Sequence, residues 1–293
     1  MRGVTPGAGS TVLITGGNAG IGKETAVGLA EGGARVAITA RDGAKGAAAA
    51  AAMRERVPEA SLDVVPLDLA SFASIRRCAA DVGRRYERLD VLVNNAGLVQ
   101  LQRTVTEDGF ETTFGVNHLG HFLLTSLLLD QLRSSTPARV VVVASHAHKS
   151  ARTGLDFDDL QAERSYSAIG AYNRSKLANV YFARELARRL GGTGVTANSL
   201  HPGFVASRLA RDGDAGALGD VVMTLARPFA LSPKRGARTS IYVASSPEVA
   251  DVTGQYFARS RPAATSRVGA DDVAARRLWE ASEALVASVP PSG

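Results

Sequence analysis

The sequence lacks the features of secreted, membrane-spanning and nucleic-acid-binding proteins. It has a single cysteine, Cys78, which excludes an internal disulfide, and residues 1–10 do not show the basic-then-apolar pattern of a signal peptide. No apolar run reaches the ~18 residues that a membrane-spanning helix requires. Aromatic residues make up only 5% of the chain, too few to predict a base-stacking surface. These absences predict a cytoplasmic chain with no transmembrane segment and no nucleic-acid partner, and they leave a peripheral membrane contact open.

Charge is dispersed rather than concentrated along the chain. The net charge of +6 comes from 34 basic and 28 acidic residues, and the basic residues occur as short pairs among the acids. This pattern is typical of solvated helix faces and favours anionic small ligands over DNA. The histidine pairs His118/His121 and His146/His148 have no third ligand at a recognisable spacing. We therefore expect no metal site, and predict that these histidines are exposed or satisfied by protein groups.

Strand-like apolar runs alternate with helical segments. The predicted strands are 11–15, 35–40, 62–67, 89–93, 139–143, 194–200 and 255–257, and the predicted helices include 72–88, 107–132, 168–190, 233–244 and 271–287. The alternation predicts an α/β fold with a Rossmann-type, doubly wound parallel sheet of about seven strands flanked by helices, in a single domain over 1–293. Residues 206–233 are predicted to cover the substrate, and residues 1–9 and 288–293 to be flexible.

The first predicted strand runs into a glycine-rich turn and then a helix. Gly16, Gly20 and Gly22 follow the strand with the spacing Gly-x3-Gly-x-Gly. Glycines let the backbone turn tightly and approach a pyrophosphate, and the N-terminus of the next helix directs N–H groups at it. The order of strand, turn and helix favours a phosphate-binding turn over a glycine-rich loop without a ligand.

Polar residues at two further strand ends should face the same crevice. Asn94-Asn95-Ala96-Gly97 follows the fourth predicted strand, and Ser145 follows the fifth. Ligands of open parallel sheets bind beyond the carboxyl ends of the strands. The sequence therefore predicts that this turn, Ser145 and the glycine turn line one ligand site.

Tyr172 and Lys176 lie four residues apart in the predicted helix 168–190 and so share one face of it. A fixed ammonium favours the phenolate, which predicts a Tyr172 pKa below its ordinary value near ~10 and an acid–base pair. The alternative is an accidental Tyr-x3-Lys pattern on a surface helix, and the remaining motifs have to decide between the two.

Together these motifs resemble the short-chain dehydrogenase/reductase family. The resemblance is carried by Thr15-Gly16-x3-Gly20-x-Gly22, Asn94-Asn95-Ala96-Gly97, Asn117, Ser145, Tyr172-x3-Lys176 and Pro202-Gly203. Softer patterns at 172–190, 201–203, 254–257 and Leu278-Trp279 resemble the retinol dehydrogenase and WW-domain oxidoreductase branch. Two departures, Ala144 where a second serine is frequent and Ser207 where threonine is frequent, remove no chemical role.

The resemblance implies hydride transfer between NAD(P)(H) and an alcohol or carbonyl carbon. Tyr172 would be the general acid/base, and Ser145 would hydrogen-bond the substrate oxygen. Lys176 would hold the nicotinamide ribose and favour the phenolate. Asn117 would position a water that links Lys176 to solvent. The alternative for Asn117 is a helix-interior residue that bonds neighbouring backbone.

The resemblance also implies which residues contact the cofactor. The pyrophosphate would lie against Gly16, Gly20, Ile21 and Gly22, and the adenine would contact Asp68 and Leu69. The riboses would contact Asn95, Ala96 and Gly97, and the carboxamide would contact Pro202, Gly203, Val205 and Ser207. For Asp68 an equal alternative is that it caps the helix that begins near Ser71.

The end of the second predicted strand bears on the choice of cofactor. An enzyme that selects NAD usually places a carboxylate there to accept the ribose 2′-hydroxyl, whereas a 2′-phosphate needs a cation. Here the strand ends with Ala40 and is followed by Arg41, with Asn18 in the glycine turn as a further donor. NADP(H) is therefore predicted over NAD. The competing interpretation is that Asp42 reaches back to the hydroxyl.

Rival functions are a dinucleotide-binding sensor without chemistry, and an enzyme of the same fold that acts on a C=C bond or a sugar nucleotide. The presence of Ser145, Tyr172 and Lys176 together disfavours the sensor. An apolar stretch at 221–231 suggests a small-molecule substrate that is itself apolar, with a membrane contact or core packing as alternatives. A homo-oligomer is compatible with the sequence.

Overall fold

The structure, a computed structural model, describes residues 9–203 and 231–290. It contains an eight-stranded sheet in the order β3-β2-β1-β4-β5-β6-β7-β8. The strands are β1 (Thr11–Ile14), β2 (Arg35–Ala40), β3 (Leu62–Pro66), β4 (Val91–Asn94), β5 (Ala138–Val143), β6 (Val195–His201), β7 (Tyr256–Ala258) and β8 (Arg261–Pro262). All neighbouring pairs from β3 to β7 are parallel, and β8 is antiparallel to β7. The predicted doubly wound parallel sheet is thus confirmed.

The central strands are buried on both faces. Every residue of β1, β4 and β5 is buried, as expected of short runs rich in valine, leucine and isoleucine that are covered on both sides. The register pairs Leu13 with Ala37 on one side and with Leu92 on the other. Their carboxyl ends therefore lie side by side at one edge of the sheet.

Helices cover both faces of this sheet. The long helices are α1 (Gly20–Glu31), α2 (Gly43–Arg54), α3 (Phe72–Arg85), α5 (Gly120–Ser134), α6 (Ala168–Arg189), α7 (Pro233–Ser245) and α8 (Asp272–Ala287). One apolar cluster joins the sheet to α1, α2 and α7, and a second joins it to α3, α5, α6 and α8. None of the helices in residues 9–203 and 231–290 has both the length and the hydropathy that crossing a membrane requires.

The predicted helix over 107–132 begins later than expected and is not regular. Residues 106–109 form a turn in which the Gly109 N–H donates to the Thr106 carbonyl, and Gly109 has φ +86°, which a right-handed helix cannot include. Helical structure starts at the short α4 (Thr112–Phe114), passes through a π-helix (Gly115–Leu119) and continues as α5. The π-helix contains Asn117 and lies at the site described below.

A further difference concerns the ends of the sheet, and most of the predicted cover is not described. The two-residue strand β8 is additional to the seven that were predicted, and it carries Pro262, while the opposite edge strand β3 ends at Pro66. Val205, Ser207 and the part of the predicted cover at 206–230 lie outside the described residues. Leu231 is described, and a β-carbon on Gly203 would lie 2.7 Å from its Cδ1.

Candidate active site

The glycine turn follows β1 and is closely packed. Gly16 and Gly20 have φ +63° and +55°, a region that glycine adopts without strain. A β-carbon at Gly22 would lie 2.4 Å from the Gly16 carbonyl oxygen and 2.5 Å from Asn95 Nδ2. Only glycine therefore allows the first turn of α1 to approach the end of β4 this closely.

The N-terminus of α1 fits an anionic group. Its N-cap, Ala19, makes no side-chain capping bond, and the first turn of this twelve-residue helix contains no acidic residue. The N–H groups and the partial positive charge of the helix dipole at this end are thus left for a ligand beside the Gly16 to Gly22 turn. These residues fit the pyrophosphate of a dinucleotide.

Thr15 and Asn95 hold the glycine turn to the end of β4. Asn95 Nδ2 donates to the Thr15 carbonyl at 2.8 Å, and the Thr15 hydroxyl accepts the backbone N–H groups of Asn95 at 2.9 Å and Ala96 at 3.0 Å. Two of the predicted ribose contacts, Asn95 and Ala96, therefore adjoin the predicted pyrophosphate turn.

Ser145 and Tyr172 come together at the same edge of the sheet. Ser145 follows β5, and its side chain accepts the Ala147 N–H at 3.2 Å. Tyr172 lies in the first turns of α6, where the Ser145 side chain interacts with its hydroxyl. Burial raises the pKa of Tyr172 above its ordinary value, and the interaction with Ser145 opposes this only in part. The expectation that a neighbouring ammonium lowers this pKa is therefore wrong for the protein alone, because burial disfavours the phenolate.

Lys176 lies beneath Tyr172 and is almost completely buried. Its Nζ is 5.6 Å from the centroid of the Tyr172 ring and donates to the Val143 carbonyl at 3.3 Å. Burial lowers the pKa of Lys176 to about 8. The two residues four apart do share one helix face, and that face is directed into the sheet edge rather than into solvent.

Asn117, in the π-helix, connects three parts of the site. Its Nδ2 donates to the Leu98 carbonyl at 2.9 Å and to Ser175 Oγ at 3.0 Å, and its Oδ1 accepts the Leu98 N–H at 2.8 Å. A β-carbon at Gly97 would lie 3.2 Å from Asn117 Oδ1 and 3.1 Å from Lys176 Nζ. The Asn117 side chain therefore forms hydrogen bonds with the backbone of Leu98, across the site, and not with the backbone of its own helix. Gly97 lies between Asn117 and Lys176.

Two acidic residues at the rim have clear local partners. Asp42 is the N-cap of α2 and accepts the Lys45 N–H at 3.0 Å. Asp68 accepts the Ala70 N–H at 2.9 Å, whereas the N-cap of α3 is Ser71. Asp68 therefore does not cap α3, and its predicted contact with adenine stays a prediction.

The other predicted cofactor contacts lie around these elements. Leu69 is buried, and its backbone oxygen would lie 2.7 Å from a β-carbon on Gly120. Arg41 directly follows β2 and is exposed, and Asn18 and Ile21 are partly exposed within the turn and the start of α1. Pro202 and Gly203 directly follow β6 and are partly exposed.

Sequence reasoning missed the use of three buried histidines. His118 Nε2 contacts Ser282 Oγ at 2.8 Å, and His121 lies between Thr15 and Asn117. His148 Nδ1 donates to the Ser145 carbonyl at 2.7 Å. The only signal in the sequence was the position of these histidines beside Asn117 and Ser145. Their burial depends on tertiary contacts that local spacing does not reveal.

Comparison with known proteins agrees with this geometry. The family model described as short chain dehydrogenase matches residues 10–157. Retinol dehydrogenase 14 of Homo sapiens is 46% identical, over 97% of this chain and 89% of its own length. Retinol dehydrogenase 13 of Homo sapiens is 44% identical, over 97% of this chain and 86% of its own length.

Solved structures agree as well. An uncharacterised protein from Mycobacterium paratuberculosis superposes with a TM-score of 0.76 at 36% identity, covering 97% of this chain and 98% of that one. RhlG of Pseudomonas aeruginosa, in its active-site complex with NADP, superposes with a TM-score of 0.68 at 32% identity. The match covers 85% of this chain and 94% of RhlG. The chain belongs to the short-chain dehydrogenase/reductase family, in its retinol dehydrogenase branch, and is a nicotinamide-dependent oxidoreductase.

Proposed function

We propose that this protein transfers a hydride between NADP(H) and the alcohol or carbonyl carbon of an apolar substrate, with Tyr172 as general acid/base. The observation that carries the proposal is the contact between Tyr172 and Ser145 above the buried Lys176, at the same sheet edge as the glycine turn. A proton donor, a hydrogen-bond donor for the substrate oxygen and a cation are thereby assembled beside a site that fits a dinucleotide.

In the direction of reduction, a dinucleotide held at the Gly16 to Gly22 turn would supply the hydride for the carbonyl carbon. The Tyr172 hydroxyl gives its proton to the carbonyl oxygen, so that the C=O bond becomes CH–OH and the tyrosine becomes a phenolate. The Ser145 hydroxyl donates a hydrogen bond to the same oxygen while negative charge develops there. Lys176 stabilises the phenolate, and a water positioned at Asn117 returns a proton from solvent.

The raised pKa of Tyr172 bears on the direction of the reaction. Burial keeps the phenol protonated at neutral pH, and the protonated phenol is the form that acts as an acid. The protein alone therefore holds Tyr172 in the form that reduction of a carbonyl requires. In the oxidising direction Lys176 would have to offset the cost of the buried phenolate.

Three observations support NADP(H) over NAD. The Asp42 side chain caps α2, and the hydrogen bond from the Lys45 N–H lowers the pKa of this carboxyl, so it already has a structural partner. The exposed Arg41 lies directly before it, at the end of β2, where a 2′-phosphate would be read. RhlG, which is 32% identical, was solved with NADP. Arg41 is accordingly the proposed 2′-phosphate contact, with Asn18 as a second donor.

Exposed apolar side chains support an apolar substrate. Leu101 and Val105, in the segment after β4, are 48% and 53% exposed, and Ile169, three residues before Tyr172 on α6, is 74% exposed. Tyr166 joins these two regions, since its hydroxyl donates to the Gln100 carbonyl at 2.7 Å. The relatives are named retinol dehydrogenases, and a retinoid-like or long-chain aldehyde is the proposed substrate class.

The test is NADPH oxidation by the purified protein across a panel of apolar and small hydrophilic aldehydes, ketones and quinones. We expect turnover of the apolar carbonyls. Binding of NADPH without turnover of any of them would indicate the sensor, and reduction of a C=C bond or a sugar nucleotide instead would indicate the same-fold alternative. Faster turnover of small hydrophilic carbonyls would contradict the apolar substrate.

A further inference from the structure

His121 lies at the first turn of α5, between the cofactor turn and the π-helix. Its Nε2 is 2.9 Å from the Thr15 hydroxyl oxygen, and its Nδ1 is 3.1 Å from the backbone carbonyl oxygen of Asn117. The side chain is 1% exposed. One imidazole thus spans the distance between the end of β1 and the residue proposed to position the relay water.

The hydrogen bonds at both ends determine its tautomer. The Thr15 hydroxyl oxygen already accepts two backbone N–H groups, from Asn95 and Ala96, so both of its lone pairs are occupied. Its own proton has two acceptors within reach, His121 Nε2 at 2.9 Å and the Val93 carbonyl at 3.4 Å. In either case Nε2 cannot donate to this saturated oxygen, so Nε2 is unprotonated. A carbonyl oxygen can only accept, so Nδ1 carries the proton and donates to Asn117.

The same geometry keeps the ring neutral. A protonated Nε2 would direct a third N–H donor at a hydroxyl oxygen that has no lone pair left. Burial and the nearby charge of Lys176 act in the same direction and, against the hydrogen bond to Asn117, lower the pKa of His121 to about 4. The imidazole is therefore a fixed connection, with one donor and one acceptor, over the working pH range of most enzymes.

We infer that His121 is a positioning residue that couples the dinucleotide turn, through Thr15, to the proton relay at Asn117. The inference rests on the proposed function, because it gives Asn117 and the glycine turn the roles assigned there. At one end His121 fixes the Thr15 hydroxyl, to which Asn95 and Ala96 are bonded. At the other end it fixes the carbonyl of Asn117 within the π-helix, a segment whose wider turn leaves room for a side chain to act on the backbone.

Two substitutions separate the two ends of the imidazole. In His121→Asn the amide nitrogen occupies the place of Nδ1, so the bond to Asn117 is kept and the acceptor for Thr15 is lost. In His121→Gln the amide oxygen reaches the place of Nε2, so the acceptor for Thr15 is kept and the bond to Asn117 is lost.

The readouts are the Kd for NADPH, from nicotinamide fluorescence without substrate, and kcat at saturating substrates. Loss of one neutral hydrogen bond corresponds to about a fivefold change. We expect His121→Asn to raise Kd about fivefold with kcat within about twofold, and His121→Gln to lower kcat about fivefold with Kd within about twofold. Equal changes in both variants, or none, would overturn the inference.

His118→Gln is the matched control, because His118 lies in the π-helix, three residues before His121, but contacts Ser282 of α8 instead. It should lower thermal stability while Kd and kcat stay within about twofold of the wild type. If His118→Gln raised the Kd for NADPH and lowered kcat as the His121 variants do, the effect would be one of general packing, and the coupling would be overturned.

Nitrogen-15 NMR of the histidine side chains gives a readout that needs no turnover. The signal that disappears in His121→Asn should be that of a neutral imidazole protonated at Nδ1, unchanged from pH 5.5 to 8.5. An Nε2-protonated ring or a titration in that range would overturn the inference.

If the wild type turned over no substrate but the Kd changes appeared as expected, only the proposed reaction would be contradicted. If the wild type bound neither NADPH nor NADH, both the proposed function and the proposed role of His121 would be overturned.

Discussion

The ammonium of Lys176 donates to the backbone carbonyl of Val143, across 3.3 Å, in a position where only 3% of the lysine is exposed. A carbonyl dipole is a weak partner for a buried charge, and no carboxylate of residues 9–203 and 231–290 offsets the effect of burial on the pKa of Lys176. Burial therefore dominates and lowers the pKa of Lys176 to about 8. The residue proposed to stabilise a phenolate thus loses its own charge in mildly alkaline solution.

The pH dependence of NADPH-dependent reduction should reflect this titration. Lys176 is an ammonium below about pH 8 and a neutral amine above it, because its pKa is lowered. We expect kcat/KM for NADPH, which reports on the free enzyme, to fall above about pH 8 with the loss of one proton. The measurement is initial rates from pH 6 to 10. A profile that stays level to pH 10 would show that the charge on Lys176 is not needed.

Lys176→Met should make the protein more stable at pH 7 while abolishing turnover. In wild type the unfolded chain binds more protons than the folded one between the folded pKa, about 8, and the ordinary value of 10.5, so stability rises with pH in that window. The variant should lose this rise and gain about 3 kcal/mol in free energy of unfolding at pH 7.

The check is denaturant unfolding at pH 7, 9 and 10.5 without dinucleotide. Lys45→Met, at an exposed lysine in α2, is the control and should keep the pH dependence of wild type. A Lys176→Met variant less stable than wild type at pH 7 would mean that the bond to Val143 outweighs the cost of burial.

Tyr172→Phe should lower kcat by about 10²–10⁴-fold, because it removes the proton donor and keeps the ring. The Kd for NADPH should stay within about twofold, since the lost hydroxyl is proposed to act on the substrate oxygen. Tyr242→Phe, which removes only a hydroxyl bonded to Glu248, serves as the control and should be as active as wild type. Comparable kcat values for Tyr172→Phe and wild type would remove the proposed mechanism.

Arg41→Ala should raise the KM for NADPH by about 10- to 100-fold, as expected for the loss of a charge-assisted hydrogen bond worth ~1.5–3 kcal/mol. The KM for NADH should hardly change. Arg35→Ala is the control, because Arg35 lies at the other end of β2 and pairs with Asp63. Equal increases for both dinucleotides, or a wild-type preference for NADH, would show that Arg41 does not read the 2′-phosphate.

Sequence patterns predict the parallel sheet and the glycine turn, but not the irregular helix before Asn117 or the effect of burial on Tyr172. The strands follow from runs of β-branched residues. The glycine turn follows from residues such as Gly16 and Gly20, whose positive φ angles favour glycine whatever the rest of the fold. The start of the helix before Asn117 was wrong because the turn that contains Gly109 interrupts an otherwise helical composition. The expected direction of the Tyr172 pKa was wrong because burial, which spacing does not show, raises this pKa.

The prolines at the two ends of the sheet restrict how copies of this protein can associate. Pro66 ends β3, and Pro262 lies in β8, so each outermost strand presents an interrupted row of donors. A strand from a second molecule would find no continuous ladder to join at either end, a common protection against uncontrolled assembly. A homo-oligomer of this protein should therefore meet through helix surfaces, and its sheets should remain separate, finite units inside each subunit.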